Sequence, residues 1–346
     1  MDKWIELDGR QGTGGGQVLR TALAMSAVTG RPFRMWSIRS GREKPGLRWR
    51  HWVTVRAVAD ICRAKTWGVE PGSTMLTFEP GKPRGVQRLY SVGSEGSAVL
   101  AAQAMLPALL AAGESSDVSI YGGTHVPGAP TWEFFAESFL PQLRAMGARV
   151  LAECERVGFA PAGGGRIRLR TEPFRAGDWR GFALGEAGAV RRAKASAVVS
   201  GIPLDIAESE ADILVKMFPN LPMERDVREV DAPGPGNAAW VTLEQERVTS
   251  VFSEIGALDL SRKVVANRVV HAVRKYLRAG VPVGPHLADQ LVVPMAAFGG
   301  EGWFAKGKDT PHETTNWEVV RAFGAKVEVE RPTDGTAVVR VKGVRG

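Results

Sequence analysis

The sequence has little cysteine and no long apolar run, and each shortage excludes a class of protein. Cys62 and Cys154 are the only cysteines among 346 residues, too few for a disulfide framework and not spaced like metal ligands. The most apolar stretch, residues 98–112, is shorter than the roughly 18 to 20 residues of a membrane span, and Gln103 and Pro107 interrupt it. The N-terminus lacks the pattern of a secretory signal. We therefore expect a cytoplasmic protein outside the membrane.

Disorder is not expected either, because no stretch is both poor in apolar residues and dense in charge of one sign. Hydrophobic residues make up 44% of the chain and charged residues 24%, which is ordinary for a globular protein. A chain of 346 residues exceeds one average domain. The length therefore predicts two domains, or one large domain that carries an insertion.

Acidic residues are outnumbered, since 45 Lys and Arg against 37 Asp and Glu give a formal net charge of +8. This balance favours a polyanionic partner such as nucleic acid or a nucleotide, although a generally basic proteome gives the same total. The cations concentrate in residues 34–56, beside Trp36, Trp49 and Trp52. The cations of this segment are Arg34, Arg39, Arg42, Lys44, Arg48, Arg50 and Arg56. The segment is predicted to hold a phosphate backbone.

One pattern occurs three times along the chain: a glycine-rich entry, a helix, a loop, a second helix and then strands. The three entries are QGTGGGQ at residues 11–17, SVGSEGSAV at 91–99 and GPHLADQLVVP at 284–294. In the second and third copies a glutamine precedes a proline by four positions, as the pairs Gln103/Pro107 and Gln290/Pro294. Each copy is predicted to form two helices on one face of a small four-stranded sheet, and the three copies to form one large α/β domain.

Residues 184–279 break the pattern and are predicted to be a smaller inserted α/β domain. The large domain then comprises residues 1–183 and 280–346. Within the insertion, the segment AVRRAKASAVVSG is predicted to be helical, WVTLE and VTSVFS to be strands, and KVVANRVVHAVRKYLRAG to be an amphipathic helix.

The glycine-rich turn at residues 12–16 lies between a predicted strand and a predicted helix. In such a turn the backbone N–H groups and the helix N-terminus can face a phosphate. The pattern is neither a Walker motif nor a complete dinucleotide fingerprint, so a purely structural turn stays equally open. Arg20, one turn into the helix, would add a cation on the same side.

Five histidines are candidates for acid, base or nucleophilic chemistry. His271 lies in an amphipathic helix, where packing or surface exposure is the simpler role, and His125 lies in a loop. His51 lies among arginines and tryptophans and is suited either to phosphate contact or to packing. His286 begins a helix, where its ring could stack on a base. His312 is predicted to lie in an exposed loop before a helix start at residue 315 or 316, and these patterns leave both a structural and a catalytic role open for it.

Seven segments together resemble the RNA 3'-terminal phosphate cyclase family in order and spacing. They are IELDGRQGTGGGQVLRTALAMS, IRSGREKPGL, GGTHVPGAP, GFAPAGGG, GPGN, HLADQLVVP and PHETTN, and they cover nearly the whole chain. The resemblance implies a mixed α/β (α+β) fold in which each repeat is similar to the C-terminal fold of a translation initiation factor. It also implies that the inserted domain is thioredoxin-like.

The resemblance implies a chemistry as well. His312 matches the nucleophile that takes AMP from ATP, with a divalent metal, Mg²⁺ or Mn²⁺, as the second cofactor. The AMP would pass to the 3'-phosphate of an RNA, and the neighbouring 2'-hydroxyl would then close a 2',3'-cyclic phosphate. Other members of the family keep the fold but act as non-catalytic RNA-binding or ribosome-assembly proteins, and this alternative is retained. A homodimer is also left open.

The same resemblance assigns further residues. The positions matching nucleotide contacts are Arg20, Arg39, Arg42, Gln103, Pro130, His286, Leu287, Ala288, Asp289 and Gln290. The positions matching RNA contacts are Lys44, Arg50 and His51. Asp289 and Thr13 are the implied metal ligands, and Thr13 departs from the family, which commonly has an acidic residue there. A threonine hydroxyl brings no charge, so a weaker metal site is expected.

Overall fold

The computed structural model describes residues 4–332 and 335–344, and its first repeat is a four-stranded sheet with two helices. The elements are β1 (Ile5–Asp8), α1 (Gln17–Thr29), β2 (Phe33–Trp36), α2 (Trp49–Cys62), β3 (Lys65–Trp67) and β4 (Leu76–Glu79). The strand order is β1-β2-β4-β3, in which only the pair β1 and β2 is parallel. Helix α1 ends at Gly30, whose left-handed φ of 72° suits glycine at a helix C-terminus.

The second repeat has the same topology. Its elements are β5 (Gln87–Ser91), α3 (Ala98–Ala111), β6 (Ser116–Gly122), a π-helical segment (Phe134–Phe139) that continues into α4 (Leu140–Ala145), β7 (Val150–Arg156) and β8 (Gly165–Thr171). The order β5-β6-β8-β7 again contains one parallel pair, β5 with β6. Ser97 caps α3 by accepting a hydrogen bond from the N–H of Leu100.

The insertion follows a 3-10 turn (Ala176–Asp178) and the short strand β9 (Phe182–Leu184), which spans the predicted domain boundary. Its elements are β10 (Val190–Ser200), α5 (Leu204–Met217), β11 (Met223–Glu229), β12 (Gly236–Gln245), β13 (Thr249–Ile255) and α6 (Arg262–Ala279). The sheet order is β11-β10-β12-β13, with β10 and β11 parallel and the other pairs antiparallel. This β-α-β-β-β-α arrangement is consistent with the expected thioredoxin-like insert.

The third repeat resumes with α7 (Pro285–Phe298), β14 (Glu301–Lys306), α8 (Pro311–Ala322), β15 (Lys326–Glu330) and β16 (Ala337–Lys342). Strand β9 pairs in parallel with β14, so the order β9-β14-β16-β15 repeats that of the first two sheets. The insertion therefore lies between the first strand and the first helix of the third repeat. The prediction of three repeats with one insertion is confirmed, and so is the mixed α/β class.

The helical prediction for AVRRAKASAVVSG was wrong, because these residues contain strand β10. Strand β10 lies inside its sheet, between β11 and β12, and its second half is buried continuously. A strand covered on both faces shows an unbroken apolar run rather than an alternating one, and a run of alanine and valine is easily taken for a helix.

Among the residues described, buried apolar side chains form two cores. One is shared by the three repeats and includes side chains from one face of the insertion's sheet, and the other lies inside the insertion. Helix α1 lies at the centre of the first core, because it contacts α2, α3, α7 and α8. The glycine-rich turn that precedes α1 is thereby placed where the first and third repeats meet. In the described part of the chain, no helix has both the length and the apolar character that crossing a membrane requires.

Candidate active site

A cavity of about 540 Å³ lies between helices α1, α3 and α7, strand β13 and the loop of residues 127–131. All three repeats and the insertion therefore contribute to its wall. Seven of the residues that the sequence predicted for the site line this cavity: Arg20, Gln103, Pro130, His286, Asp289, Gln290 and His312. They come from five segments that are far apart in the sequence.

Helix geometry explains which predicted residues of α7 reach the cavity. His286, Asp289 and Gln290 line it, together with Val293, at the spacing that places residues on one face of a helix. Leu287 and Ala288 lie on the other face, where their side chains are buried in the core. Any contribution of these two residues to nucleotide binding is thus through the backbone or through packing.

His312 is exposed, as the sequence predicted, but it lies in the first turn of α8 and not in a loop. Thr310 is the N-cap, and it exchanges two hydrogen bonds with Glu313: the Thr310 Oγ1 accepts from the Glu313 N–H and the Glu313 carboxylate accepts from the Thr310 N–H. Lys306 is buried and pairs with Asp309 and Glu313 at 2.8 and 3.3 Å. These contacts hold the first turn of α8, and they direct the Lys306 ammonium toward acidic side chains.

Gln17, the first residue of α1, connects His312 with Asp289. Its Nε2 donates to Asp289 Oδ1 at 2.6 Å and to the His312 carbonyl at 2.9 Å. Both partners are acceptors, so the amide orientation is determined and Oε1 faces His312 Nδ1, at 2.5 Å. The Nδ1 atom must then carry the proton of the neutral ring. The lone pair of His312 is therefore on Nε2, as a nucleophile requires.

The ring of His312 is neutral near pH 7. Partial burial lowers its pKa below the ordinary value, and the positive charges of Arg20 and Arg42 lower it further. A neutral imidazole keeps its lone pair available, whereas a protonated one could not attack an electrophile. Gln17 had no assigned role in the sequence, although it ends the glycine-rich motif and so lies at the N-terminus of α1.

Asp289 is the centre of a buried polar network between α1, α7 and α8. Besides the bond from Gln17, its Oδ1 accepts from Asn316 Nδ2 at 2.6 Å, and Thr21 Oγ1 donates to Asn316 Oδ1 at 2.5 Å. Burial raises the pKa of Asp289 to about 7, although the charge of Arg20 and the two amide donors oppose the rise. The carboxyl group therefore titrates near neutral pH.

We expect Asp289→Asn to raise the melting temperature more at pH 8 than at pH 5. A folded-state pKa raised from 3.8 to about 7 means that the folded protein binds the proton more tightly, so stability falls as pH rises from about 4 to about 7. Asparagine has no such proton, and its oxygen can still accept from Gln17 and Asn316. Thermal denaturation without nucleotide and with a chelator measures the effect, with the exposed Asp259→Asn as the control. An equal difference at both pH values would contradict the expectation.

The glycine-rich turn leaves room beside two nitrogen groups. Gly12 and Gly14 both have φ of +57°, and a Cβ on Gly12 would lie 1.6 Å from Thr315 Oγ1. A Cβ on Gly16 would lie 2.6 Å from His51 Nε2 and 3.0 Å from Arg20 Nη1. The absence of a side chain at this position keeps both groups accessible to an anion that approaches the turn.

His51 is a neutral hydrogen-bond donor. Its Nδ1 accepts from the Arg48 N–H at 3.1 Å, so the ring proton is on Nε2, the atom beside Gly16. Burial lowers the pKa of His51 to about 3, and the charges of Arg20 and Arg50 add to the effect. His51 and Arg50, predicted to contact RNA, therefore lie close to Arg20, which was predicted to contact nucleotide.

The remaining predicted cations surround the turn. Arg42 Nη2 donates to the Thr13 carbonyl at 2.7 Å, which attaches the arginine segment to the glycine-rich turn. Arg39 has a left-handed φ of 54°, uncommon for a residue other than glycine, and its Nη1 donates to the Lys44 carbonyl at 2.9 Å. Burial lowers the pKa of Arg20 to about 10, so its guanidinium stays charged at neutral pH. Lys44 is exposed beside this cluster.

The other end of the cavity suits a planar base. His286 lies at the start of α7 with its ring perpendicular to that of Phe134, the ring centroids 6.4 Å apart, and Pro130 lies in the loop that lines the cavity. The side chains of Gln103 and Gln290, which occupy equivalent positions in the second and third repeats, are hydrogen-bonded to each other. Most of the remaining wall is apolar, including Val251 and Ile255 from the insertion.

His125 is buried and makes no contact with the cavity. Its Nε2 lies 2.9 Å from the Glu133 carboxylate, Nδ1 lies 2.9 Å from Thr124 Oγ1, and its ring packs against Phe159 and Trp240. Burial alone would raise the pKa of Glu133, but the neighbouring His125 lowers it by its charge and its hydrogen bond. The pKa of that carboxyl therefore lies below its ordinary value. This pair fixes both ends of the loop that carries Pro130. His271, by contrast, is exposed on α6.

The two predicted metal ligands are not part of a larger group of metal-binding side chains among the residues described. Within residues 4–332 and 335–344, no three His, Cys, Asp or Glu side chains are grouped so that they could hold a metal ion. Of the two predicted ligands, Asp289 uses Oδ1 to accept two amide hydrogen bonds, and Thr13 offers a hydroxyl without charge. The protein groups alone therefore do not match the oxygen-rich set that Mg²⁺ requires.

Comparison with known proteins finds the same family that the seven sequence segments resemble. Residues 11–329 match the model of the family described as RNA 3'-terminal phosphate cyclase. The chain is 42% identical over 324 residues to the RNA 3'-terminal phosphate cyclase of Salmonella agona (strain SL483), covering 93% of each chain. It is 41% identical over 324 residues to the protein of the same name from Salmonella typhimurium (strain LT2), covering 93% of this chain and 94% of the relative.

Proposed function

The chain belongs to the RNA 3'-terminal phosphate cyclase family, and on that premise we propose that it converts an RNA 3'-terminal phosphate into a 2',3'-cyclic phosphodiester while ATP is cleaved to AMP and pyrophosphate. One observation carries the proposal: His312 Nδ1 faces Gln17 Oε1, which leaves Nε2 free of this contact, and the ring lies in a cavity that also holds Arg20. Such a site can attack a phosphate and neutralise the charge that develops on it.

In the proposed first step, the Nε2 lone pair of His312 attacks the α-phosphorus of ATP. An N–P bond forms, the bond from this phosphorus to the oxygen bridging the β-phosphate breaks, and pyrophosphate leaves. The ring then carries AMP on Nε2, a proton on Nδ1 and a positive charge. Gln17 Oε1 supports this form by accepting from Nδ1–H, and Gln17 is in turn held by the carboxyl group of Asp289.

Positive groups around the glycine-rich turn bind the triphosphate in the proposed mechanism. The pyrophosphate that leaves is highly charged, and a cationic, partly buried site stabilises it better than water does. Arg20, Arg39 and Arg42 are the predicted contacts, and His51 adds an Nε2–H donor beside Gly16. The apolar end of the cavity, with His286 and Pro130, then takes the adenine base.

Two further transfers complete the proposed reaction. An oxygen of the RNA 3'-phosphate attacks the phosphorus of AMP, the N–P bond breaks, and the electron pair returns to His312 Nε2. The ribose 2'-oxygen, losing its proton to solvent, then attacks the RNA phosphorus, and AMP leaves as the cyclic phosphate closes. Each step replaces one P–O or P–N bond with another, so neither an oxidant nor a reductant is needed.

We propose that the divalent metal enters with ATP, as part of the substrate. The triphosphate oxygens supply most of the ligands that Mg²⁺ or Mn²⁺ prefers, which suits a site without a grouped set of protein ligands. Thr13 and Asp289 stay the predicted protein contacts. A cytoplasmic setting is part of the same proposal, since both cysteines are free. A homodimer stays a prediction.

The decisive experiment is covalent labelling of the whole protein. ATP labelled at the α-phosphate is expected to label the protein in the presence of Mg²⁺ or Mn²⁺, whereas ATP labelled at the γ-phosphate is not. Addition of an RNA with a 3'-phosphate should then discharge the label and make that end resistant to phosphatase. No label with either metal would exclude the enzyme and favour the non-catalytic RNA-binding alternative.

A further inference from the structure

Trp49 is an exposed aromatic side chain that is packed on two sides. It is the first residue of α2, and 53% of its surface is exposed. Its ring lies 4.7 Å from that of Trp52, at an interplanar angle of 33°, and Trp52 is itself fixed by a hydrogen bond from Nε1 to the Val69 carbonyl. Gly93 lies against its edge, since a Cβ there would come within 3.0 Å of Trp49 Cδ1. Two sides are thus packed, and the rest of the indole faces solvent.

The neighbours of Trp49 along the chain are cations. Arg48 and Arg50 both lie close enough to His51 to lower its pKa, and Arg50 also acts on Arg20. Within residues 4–332 and 335–344, neither Arg48 nor Arg50 forms a salt bridge with an acidic side chain. These guanidinium groups therefore remain available to an anion. They lie between Trp49 and the cations around the glycine-rich turn, since they also act on the pKa values of Arg20 and Arg39.

The cavity does not account for Trp49. The cavity wall contains no residue of α2, and the base-binding end of that cavity is built from His286, Pro130 and apolar side chains of other elements. The proposed binding site for the base of ATP therefore does not include Trp49. What remains is a flat aromatic surface beside unpaired cations, and proteins use this combination to bind single-stranded nucleic acid.

We propose that Trp49 is the stacking platform for a base of the RNA strand close to its 3'-phosphate, while Arg48 and Arg50 bind the adjoining phosphates. This inference rests on the proposed cyclase function and adds to it how the acceptor strand is held. Stacking on an indole is tolerant of sequence, because every base has a flat face. The platform therefore selects single-stranded ends and not a particular sequence.

The test compares Trp49→Ala with Trp67→Ala, in which an even more exposed tryptophan on the outer strand β3 is lost. Trp49→Ala is expected to raise the KM for a 3'-phosphorylated oligoribonucleotide roughly ten-fold or more. The initial rate of labelling by ATP without RNA should stay the same. Trp49→Phe retains a stacking ring and should recover most of the loss. Trp67→Ala should leave both measurements unchanged.

A second measurement identifies the contact directly. Three oligoribonucleotides are prepared, each of which lacks the base at one of the last three positions. Their binding to the wild-type protein and to Trp49→Ala is compared, with affinity measured from the anisotropy of a fluorescent 5' label. Loss of the stacked base should weaken binding to the wild type and have no further effect on the variant. This binding assay needs no ATP.

The two assays separate the possible failures. An unchanged KM and affinity in Trp49→Ala would overturn the inference, and so would base removals that weaken binding to the wild type and the variant equally at every position. A weakened affinity in Trp67→Ala of the same size would also overturn it, because the effect would then be general. If the wild type takes no label from ATP, the proposed function fails, yet the anisotropy assay still decides whether Trp49 stacks on RNA.

Discussion

His312→Ala is expected to abolish covalent labelling by α-labelled ATP. Among the described residues, His286 is the other histidine that lines the cavity, and its proposed role is to stack on the base. His51 presents Nε2–H, not a lone pair, to the glycine-rich turn, so neither histidine is expected to replace His312 Nε2. The variant retains the phosphate-binding cations and the apolar end of the cavity, so binding of ATP should persist. Labelling followed by denaturing gel electrophoresis measures the first effect, and equilibrium binding of ATP the second.

His271→Ala is the matched control for this experiment. His271 is exposed on α6 and does not line the cavity, so the control should take label at the wild-type rate. The His312 side chain is itself exposed, and its hydrogen bond is to Gln17. Gln17 keeps its bonds to Asp289 and to the carbonyl of residue 312 in the variant, so the truncation should leave the fold intact. Persistent label in His312→Ala would place the nucleophile elsewhere and refute the mechanism proposed above.

Gln17→Met is expected to slow the transfer of AMP to the protein by about two orders of magnitude, the usual size of an effect on proton placement in catalysis. Methionine is similar in length, but its thioether sulfur is a much weaker acceptor for His312 Nδ1–H than the amide oxygen. The ring then loses the contact that keeps the proton on Nδ1, and part of the population carries it on Nε2, where attack is impossible. The affinity for ATP should change little, so the loss should appear in the maximal rate and not in KM.

Gln142→Met provides the matched control, since Gln142 is also buried but lies on α4 and does not line the cavity. It should label at close to the wild-type rate. Nitrogen-15 NMR of the imidazole gives a reading that a merely structural defect would not produce, because it reports which nitrogen of His312 is protonated. If Gln17→Met keeps the proton on Nδ1 and labels at full rate, Gln17 does not position the nucleophile.

The tertiary structure also explains two errors in the sequence-based predictions. Residues 189–201 were expected to be helical, but strand β10 lies inside its sheet, and burial on both faces removes the alternation that would have revealed a strand. His312 was expected in a loop because the helix was predicted to begin at residue 315 or 316. The true cap is Thr310, which forms a capping box with Glu313 and is followed by proline, a pattern present in the sequence.

By itself, the sequence determined the three repeats, the presence of an insertion and the set of cations near residues 34–56, since each depends on local spacing. It also contained the motifs that single out His312. Only the tertiary structure decided that Gln17 orients this histidine, because the two residues are 295 positions apart and no periodic pattern links them. The same holds for Asp289, 272 positions from Gln17, whose pKa near 7 arises from burial between three helices. Hydrogen bonds between distant segments depend on how the repeats pack, and packing is a property of the whole chain.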